Sequence, residues 1–244
     1  MNILRLAMLA VFFPLSAAMV SKAQDVVAVD PTIAKVEFEN EQIRVLRLTY
    51  APHQKSHMHS QPPRFLVTLT KNNIRSTMLD GTSSMSQRDA NVFAWSEPVT
   101  HAEENLADEP MDNIEIELKT AKGPGVAAKL DTGEKKGAGT EKDPVPVEQE
   151  PTHRLVFANQ YVRILEVIVP PGRATLFHTH SLDYVSIMVS DTSFKNQVPG
   201  EDWTKRPAAR GFLGFRKCTE TPFMHRVMNT GTVPFHVFDV EIVQ

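Results

Sequence analysis

The chain has 244 residues, 41% of them hydrophobic and 23% charged, enough apolar material for one large domain or two of about 100 residues each. A formal charge of −3 with no basic run speaks against nucleic acid as a partner, because phosphate neutralisation dominates that affinity. The single cysteine, Cys218, excludes an intramolecular disulfide and any structural zinc site built on several thiolates.

Residues 1–23 read as a signal peptide. Arg5 gives a short positive start, Leu6 to Leu15 is almost wholly apolar, and Ser21-Lys22-Ala23 approximates a small-x-small cleavage site. Pro14 interrupts the apolar run, which is shorter than the roughly 20 residues that span a bilayer, so an integral membrane anchor is not expected. The expected location is periplasmic or secreted. A second break in composition covers 121–150, which has no aromatic residue and no Ile but many Gly, Pro, Lys and Glu. It reads as a flexible linker between a first unit, 24–120, and a second, 151–244.

The two units are copies. Phe38, Asn40, Arg44, Leu46 and Pro52 recur 119 residues later as Phe157, Asn159, Arg163, Leu165 and Pro171. His57-Met58-His59-Ser60 matches His178-Thr179-His180-Ser181 at an offset of 121. Pro98, His101, Asn105, Pro110 and Glu117 match Pro222, His225, Asn229, Pro234 and Glu241 at 124. Small steps in the offset indicate an old duplication with loop insertions.

Within each copy, Ile43 to Tyr50, Arg64 to Thr70 and Ile114 to Leu118, and likewise Val162 to Val169, Tyr184 to Val189 and Phe235 to Ile242, read as strands. Pro170-Pro171-Gly172, Lys71-Asn72-Asn73, Asp80-Gly81 and Asn229-Thr230-Gly231 punctuate them as turns. Many short strands without a long helical period predict an all-β fold, an antiparallel sandwich or jelly-roll barrel.

Six of the nine histidines form two triplets, His57, His59, His101 and His178, His180, His225. In a strand, residues i and i+2 share a face, so each His-x-His presents two imidazoles side by side, with the third arriving from a later strand. Three imidazoles suit a divalent transition metal, iron first, then zinc, nickel, manganese or copper, with positions left open for water or substrate.

These motifs resemble the cupin superfamily, and specifically bicupins with two tandem double-stranded β-helix barrels, over nearly all of the chain except the leader and linker. Gly172 with His178-Thr179-His180 is similar to the first cupin motif, and His101 with Asn105 and His225 with Asn229 to the second. The resemblance implies that each triplet ligates one metal inside its barrel. The cupin glutamate ligand is missing: Tyr184 or Val185 stands there in the second copy and Pro63 or Arg64 in the first. Asp183 and Gln61 are poorly spaced to replace it. Pro98 and Pro222 replace a motif glycine, and Ala51 stands where the second copy has Gly172. This departs from enzymes that resemble oxalate decarboxylase and leaves the three-histidine dioxygenases as the nearer comparison.

Other residues extend the reading. Tyr184 and His236, the latter sharing strand parity with Phe238, Val240 and Ile242, are candidates for substrate contact or support of the ligands, as is Arg64 for an anionic substrate. His53 and His153 read as loop residues without a special role, and Cys218 as packing. The first unit, Gln24 to Lys119, has 9 bases and 15 acids, whereas Pro151 to Gln244 has 10 bases and 8 acids, which favours a small anion in the second barrel. Three functions are compatible: a metal-dependent oxygenase of Fe(II) type acting on a small organic molecule, a noncatalytic metal- or small-ligand-binding envelope protein, or a structural bicupin in the manner of seed storage proteins. A homo-oligomer is compatible with all three.

Overall fold

The computed structural model describes residues 24–243, so the expected leader lies outside the described residues. Ile43–Tyr50 and Val162–Val169 are strands at the predicted bounds, and each buries both faces in turn. Ile43 and Val45, like Val162 and Ile164, pack into one core, while Leu46, Leu48 and Tyr50, like Val167 and Val169, face their own barrel. Pleating explains the split, since neighbouring side chains point to opposite faces.

Each unit is a pair of five-stranded sheets with the same strand order. In the first unit, one sheet runs Ala34–Glu39, Ile43–Tyr50, Met111–Leu118, Arg64–Thr68, Phe93–Ser96. The other runs Gln24–Asp25, His59–Gln61, Val99–Asn105, Asn72–Met78, Ser83–Arg88. The second unit repeats this with His153–Ala158, Val162–Val169, Phe235–Ile242, Tyr184–Met188, Leu213–Arg216 in one sheet. Its other sheet runs Val145–Pro146, His178–His180, Phe223–Asn229, Thr192–Gln197, Thr204–Ala208. These are two jelly-roll barrels. Among the described residues, no helix is long and apolar enough to cross a membrane.

The segment expected as linker ends in ordered structure. Val145 pairs in parallel with His178, covering the edge of the histidine strand as Gln24 does beside His59. Val145, Val147 and Glu150 are buried, so the last residues before Pro151 belong to the second barrel.

The barrels meet through one apolar core drawn from both, including Phe65, Ile114 and Ile116 on one side and Val185, Phe238 and Val240 on the other. Phe38 stacks on Phe215 at 4.6 Å and Trp95 on Phe157 at 5.9 Å. Phe238, Val240 and Ile242 therefore face the other barrel, while Phe235, Val237 and Asp239 face the cavity of their own. His236 shares parity with the first set. It does not line the cavity; its Nε2 lies 3.1 Å from Glu166 Oε1 at the rim.

Candidate metal centre

In the second barrel the predicted histidines converge. His178 and His180 lie on the inner face of one strand, and His225 stands opposite His178 on the next. His225 Nε2 is 3.1 Å from His178 Nε2 and 3.2 Å from His180 Nε2. Metal–nitrogen bonds of about 2.1 Å put two ligands about 3.0 Å apart at a right angle and about 3.4 Å apart at the tetrahedral angle. The observed separations fall within that range.

The hydrogen bonds on the far side of each ring set the tautomers. His178 Nδ1 donates to the Leu176 carbonyl at 2.9 Å, and His225 Nδ1 donates to Asn196 Oδ1 at 2.6 Å. Neither acceptor can donate, so both Nε2 atoms carry lone pairs, and those lone pairs face each other across 3.1 Å. A proton shared between them is disfavoured. Burial pushes His178 down to about 3, with His153 adding to the effect, and burial holds His180 and His225 well below the usual range. A divalent cation answers the opposed lone pairs without requiring any ring to charge. The donor set fits a metal.

His153 joins this cluster from the start of the His153–Ala158 strand. One nitrogen each of His153, His178 and His180 lie within 4.8 Å of one another, and the His153 and His178 ring centroids are 4.4 Å apart. His153 Nδ1 donates to Glu150 Oε2 at 2.7 Å, and its Nε2 faces Asp239 Oδ2 at 4.0 Å. Burial pushes the Glu150 carboxyl up, but hydrogen bonds from His153, Thr152 and the Leu176 amide outweigh it and hold the group at about 2. A carboxylate behind a histidine orients the ring for metal binding. His153 is thus no loop residue but a buried member of the site. Its counterpart by strand register is Ala34, so the repeat comparison carried no signal for it. The Glu150-x-x-His153 spacing was the only hint in the sequence. Tyr184, where the cupin glutamate was expected, stacks its ring on His180 at 4.2 Å.

The first barrel does not bring its triplet together. His59 pairs in register with His101 as His178 does with His225, so His59 is the counterpart of His178 and Gln61 that of His180. The two His-x-His motifs are therefore displaced by two residues, and the structural offset stays at 119. His57 falls before the strand, 78% exposed, with Nδ1 bonded to Asp30 at 2.7 Å. His101 Nε2 donates to Gln61 Oε1 at 3.0 Å, while Ser76 Oγ lies 2.8 Å from Nδ1. Arg64 is buried rather than open to a substrate, its Nε 3.3 Å from Glu115, which also accepts from Gln61 at 2.5 Å. Asp183 is likewise occupied, accepting from the Cys218 and Thr219 amides, and Cys218 is buried.

Solved structures share this two-barrel arrangement across most of the chain. A cupin 2 conserved barrel domain protein from Leptotrichia buccalis superposes with a TM-score of 0.50 at 10% identity, covering 86% of this chain and 88% of that one. The fold is that of two tandem cupin barrels. The chain is also similar in fold to oxalate decarboxylase of Bacillus subtilis, studied for its Mn(II) centres (TM-score 0.51, 11% identity, 83% of this chain and 69% of that one). Salicylate 1,2-dioxygenase from Pseudoaminobacter salicylatoxidans, seen with gentisate, gives 0.51 at 11% identity over 82% of this chain and 68% of that one. No family model and no curated protein sequence matches the chain.

A cavity of about 270 Å3 reaches the cluster from one side. His225, His153, Tyr184 and Asp239 line its inner end, and Phe194, Phe215 and Phe235 contribute to an otherwise largely apolar wall. Asp239 accepts from Ser186 Oγ at 2.5 Å, and burial raises its carboxyl above the ordinary range.

Proposed function

We propose that the chain is an exported metal-dependent oxidoreductase that acts on a small organic molecule in its second barrel, with the first barrel serving as scaffold. The opposed lone pairs of His178 and His225 carry this reading, since a bound cation satisfies two buried acceptors at 3.1 Å. His178, His180 and His225 hold the metal, and His153, braced by Glu150, stands beside them as a fourth ligand. Imidazole ligands suit iron, zinc, nickel, manganese or copper, of which iron fits dioxygenase-like chemistry best. A divalent metal there supplies Lewis acidity, and iron adds one-electron chemistry. Asn196 fixes His225, the phenylalanine wall excludes water, and Asp239 and Ser186 offer a proton-carrying pair at the cavity surface. Export rests on the composition of residues 1–23.

The test is elemental analysis of the purified mature protein, with oxygen uptake followed across thiols, diketones and phenolics. One first-row metal per chain with turnover of a panel member is expected. Metal without turnover would leave a binding protein, and two metals per chain would contradict the scaffold role of the first barrel.

A further inference from the structure

The second cavity carries two arginines, Arg206 and Arg216, that no acid among the described residues answers. Arg216 closes the Leu213–Arg216 strand and lines the cavity, with its guanidinium carbon 3.6 Å from the centre of the Phe223 ring. Other arginines of the chain, such as Arg44, Arg47, Arg64 and Arg163, have carboxylate partners, but no ion pair among the described residues includes Arg216. In the first barrel its register counterpart is Ser96, and the cation there, Arg64, is consumed by Glu115. Among the described residues, Arg206 and Arg216 both line the second cavity without an ion pair, and Arg216 also reaches the Tyr184 hydroxyl.

Its position relates it to the histidines. Phe223, beneath Arg216, lies 4.6 Å from His225, and Tyr184, opposite Arg216 in register, stacks on His180. One aromatic ring, Phe223 or Tyr184, lies between the guanidinium and each of two ligands, so a single small molecule can reach both. We propose that Arg216, seated on Phe223 beside Tyr184, binds the carboxylate of a small organic acid whose other end reaches the histidine cluster. This rests on the reading of the cavity as a substrate site beside a metal centre. Stacking on the ring face leaves the in-plane N–H donors of Arg216, beyond the one turned to the Tyr184 hydroxyl, for a planar oxyanion. The cavity volume equals about nine waters at about 30 Å3 each, so the acid is small, and the aromatic wall matches an apolar body.

Calorimetry on the metal-free full chain tests this with benzoate, benzamide and inorganic phosphate as probes. Benzamide has the shape of benzoate without its charge. Benzoate should bind at least about tenfold more tightly than benzamide, the margin of one charge-assisted hydrogen bond. Arg216→Met should erase that margin while leaving benzamide affinity unchanged, and Arg216→Lys should recover part of it. Equal binding of benzoate and benzamide by the wild type overturns the proposal, as does undiminished benzoate binding by Arg216→Met or tighter binding of phosphate. Metal uptake is measured separately. A wild type that takes no metal yet prefers benzoate would refute the metal reading and support the anion site.

Discussion

Replacing His180 with Gln places in the second barrel the residue that stands at the same register position in the first. Two effects of opposite sign follow. In the metal-free protein, His180 Nδ1 is buried without a hydrogen-bond partner, and its Nε2 faces His225 Nε2 at 3.2 Å. A glutamine amide removes the orphaned nitrogen and donates to the His225 lone pair, which should stabilise the metal-free fold by about 1 kcal/mol. In a protein of this size that is a rise in Tm of about 2–4 °C. With metal present the order reverses. At a hundredfold excess over Kd, binding stabilises the wild type by about 2.7 kcal/mol, and the variant, short of one ligand, loses most of that gain. Differential scanning calorimetry with and without Fe(II) or Zn(II) reads both effects. A variant whose metal-induced shift equals that of the wild type would refute the assignment of His180 as a ligand. A lower metal-free Tm would refute the account of its orphaned nitrogen.

Arg64→Met leaves Glu115 buried without its cation, and urea unfolding should show a loss of about 3 kcal/mol or more, while His57→Ala, at an exposed site, should cost well under that. Glu117 beside Arg44 and Glu241 beside Arg163 are raised by burial to about 7 against the pull of their arginines. Between their ordinary 4.5 and about 7 the folded state binds more protons than the unfolded. The resulting stability is fully present below about pH 4.5 and lost as pH rises through 7. The double variant Glu117→Gln, Glu241→Gln should flatten that decline in unfolding curves taken from pH 4 to 8, and an unchanged slope would count against it.

Backbone architecture was legible because each strand carries its own signal. Ile43–Tyr50, Val162–Val169 and Phe235–Ile242 are rich in β-branched and apolar residues, and their bounds match the pattern that predicts them. Register was harder to read. His57-Met58-His59 looks like His178-Thr179-His180, but the loop leading to the histidine strand is equally long in both barrels, so the true partners are His59 and His178. A slip of two residues preserves the face on which every side chain points, so alternation cannot detect it. His153 and Arg216 were missed for another reason. Their register counterparts are Ala34 and Ser96, and a search for repeated chemistry passes over the residues that make the copies differ.

Those differences decide which barrel holds the chemistry, and they act through single hydrogen bonds. Behind His225 stands the carbonyl oxygen of Asn196, which can only accept, so the proton sits on Nδ1 and the lone pair turns inward. Behind His101 stands the Ser76 hydroxyl, which can donate or accept, so the tautomer is set from inside: Gln61 Oε1 can only accept, and the His101 proton sits on Nε2. One imidazole is thereby a ligand and the other a donor, on equivalent strands of equivalent barrels. Once His101 donates inward, a metal has no lone pair there to bind, and the interior is filled by the Arg64–Glu115 pair with Gln61 bonded to it. Gln61→His removes the acceptor that holds this proton, and because the Ser76 hydroxyl can accept from Nδ1, the His101 lone pair is then able to turn inward.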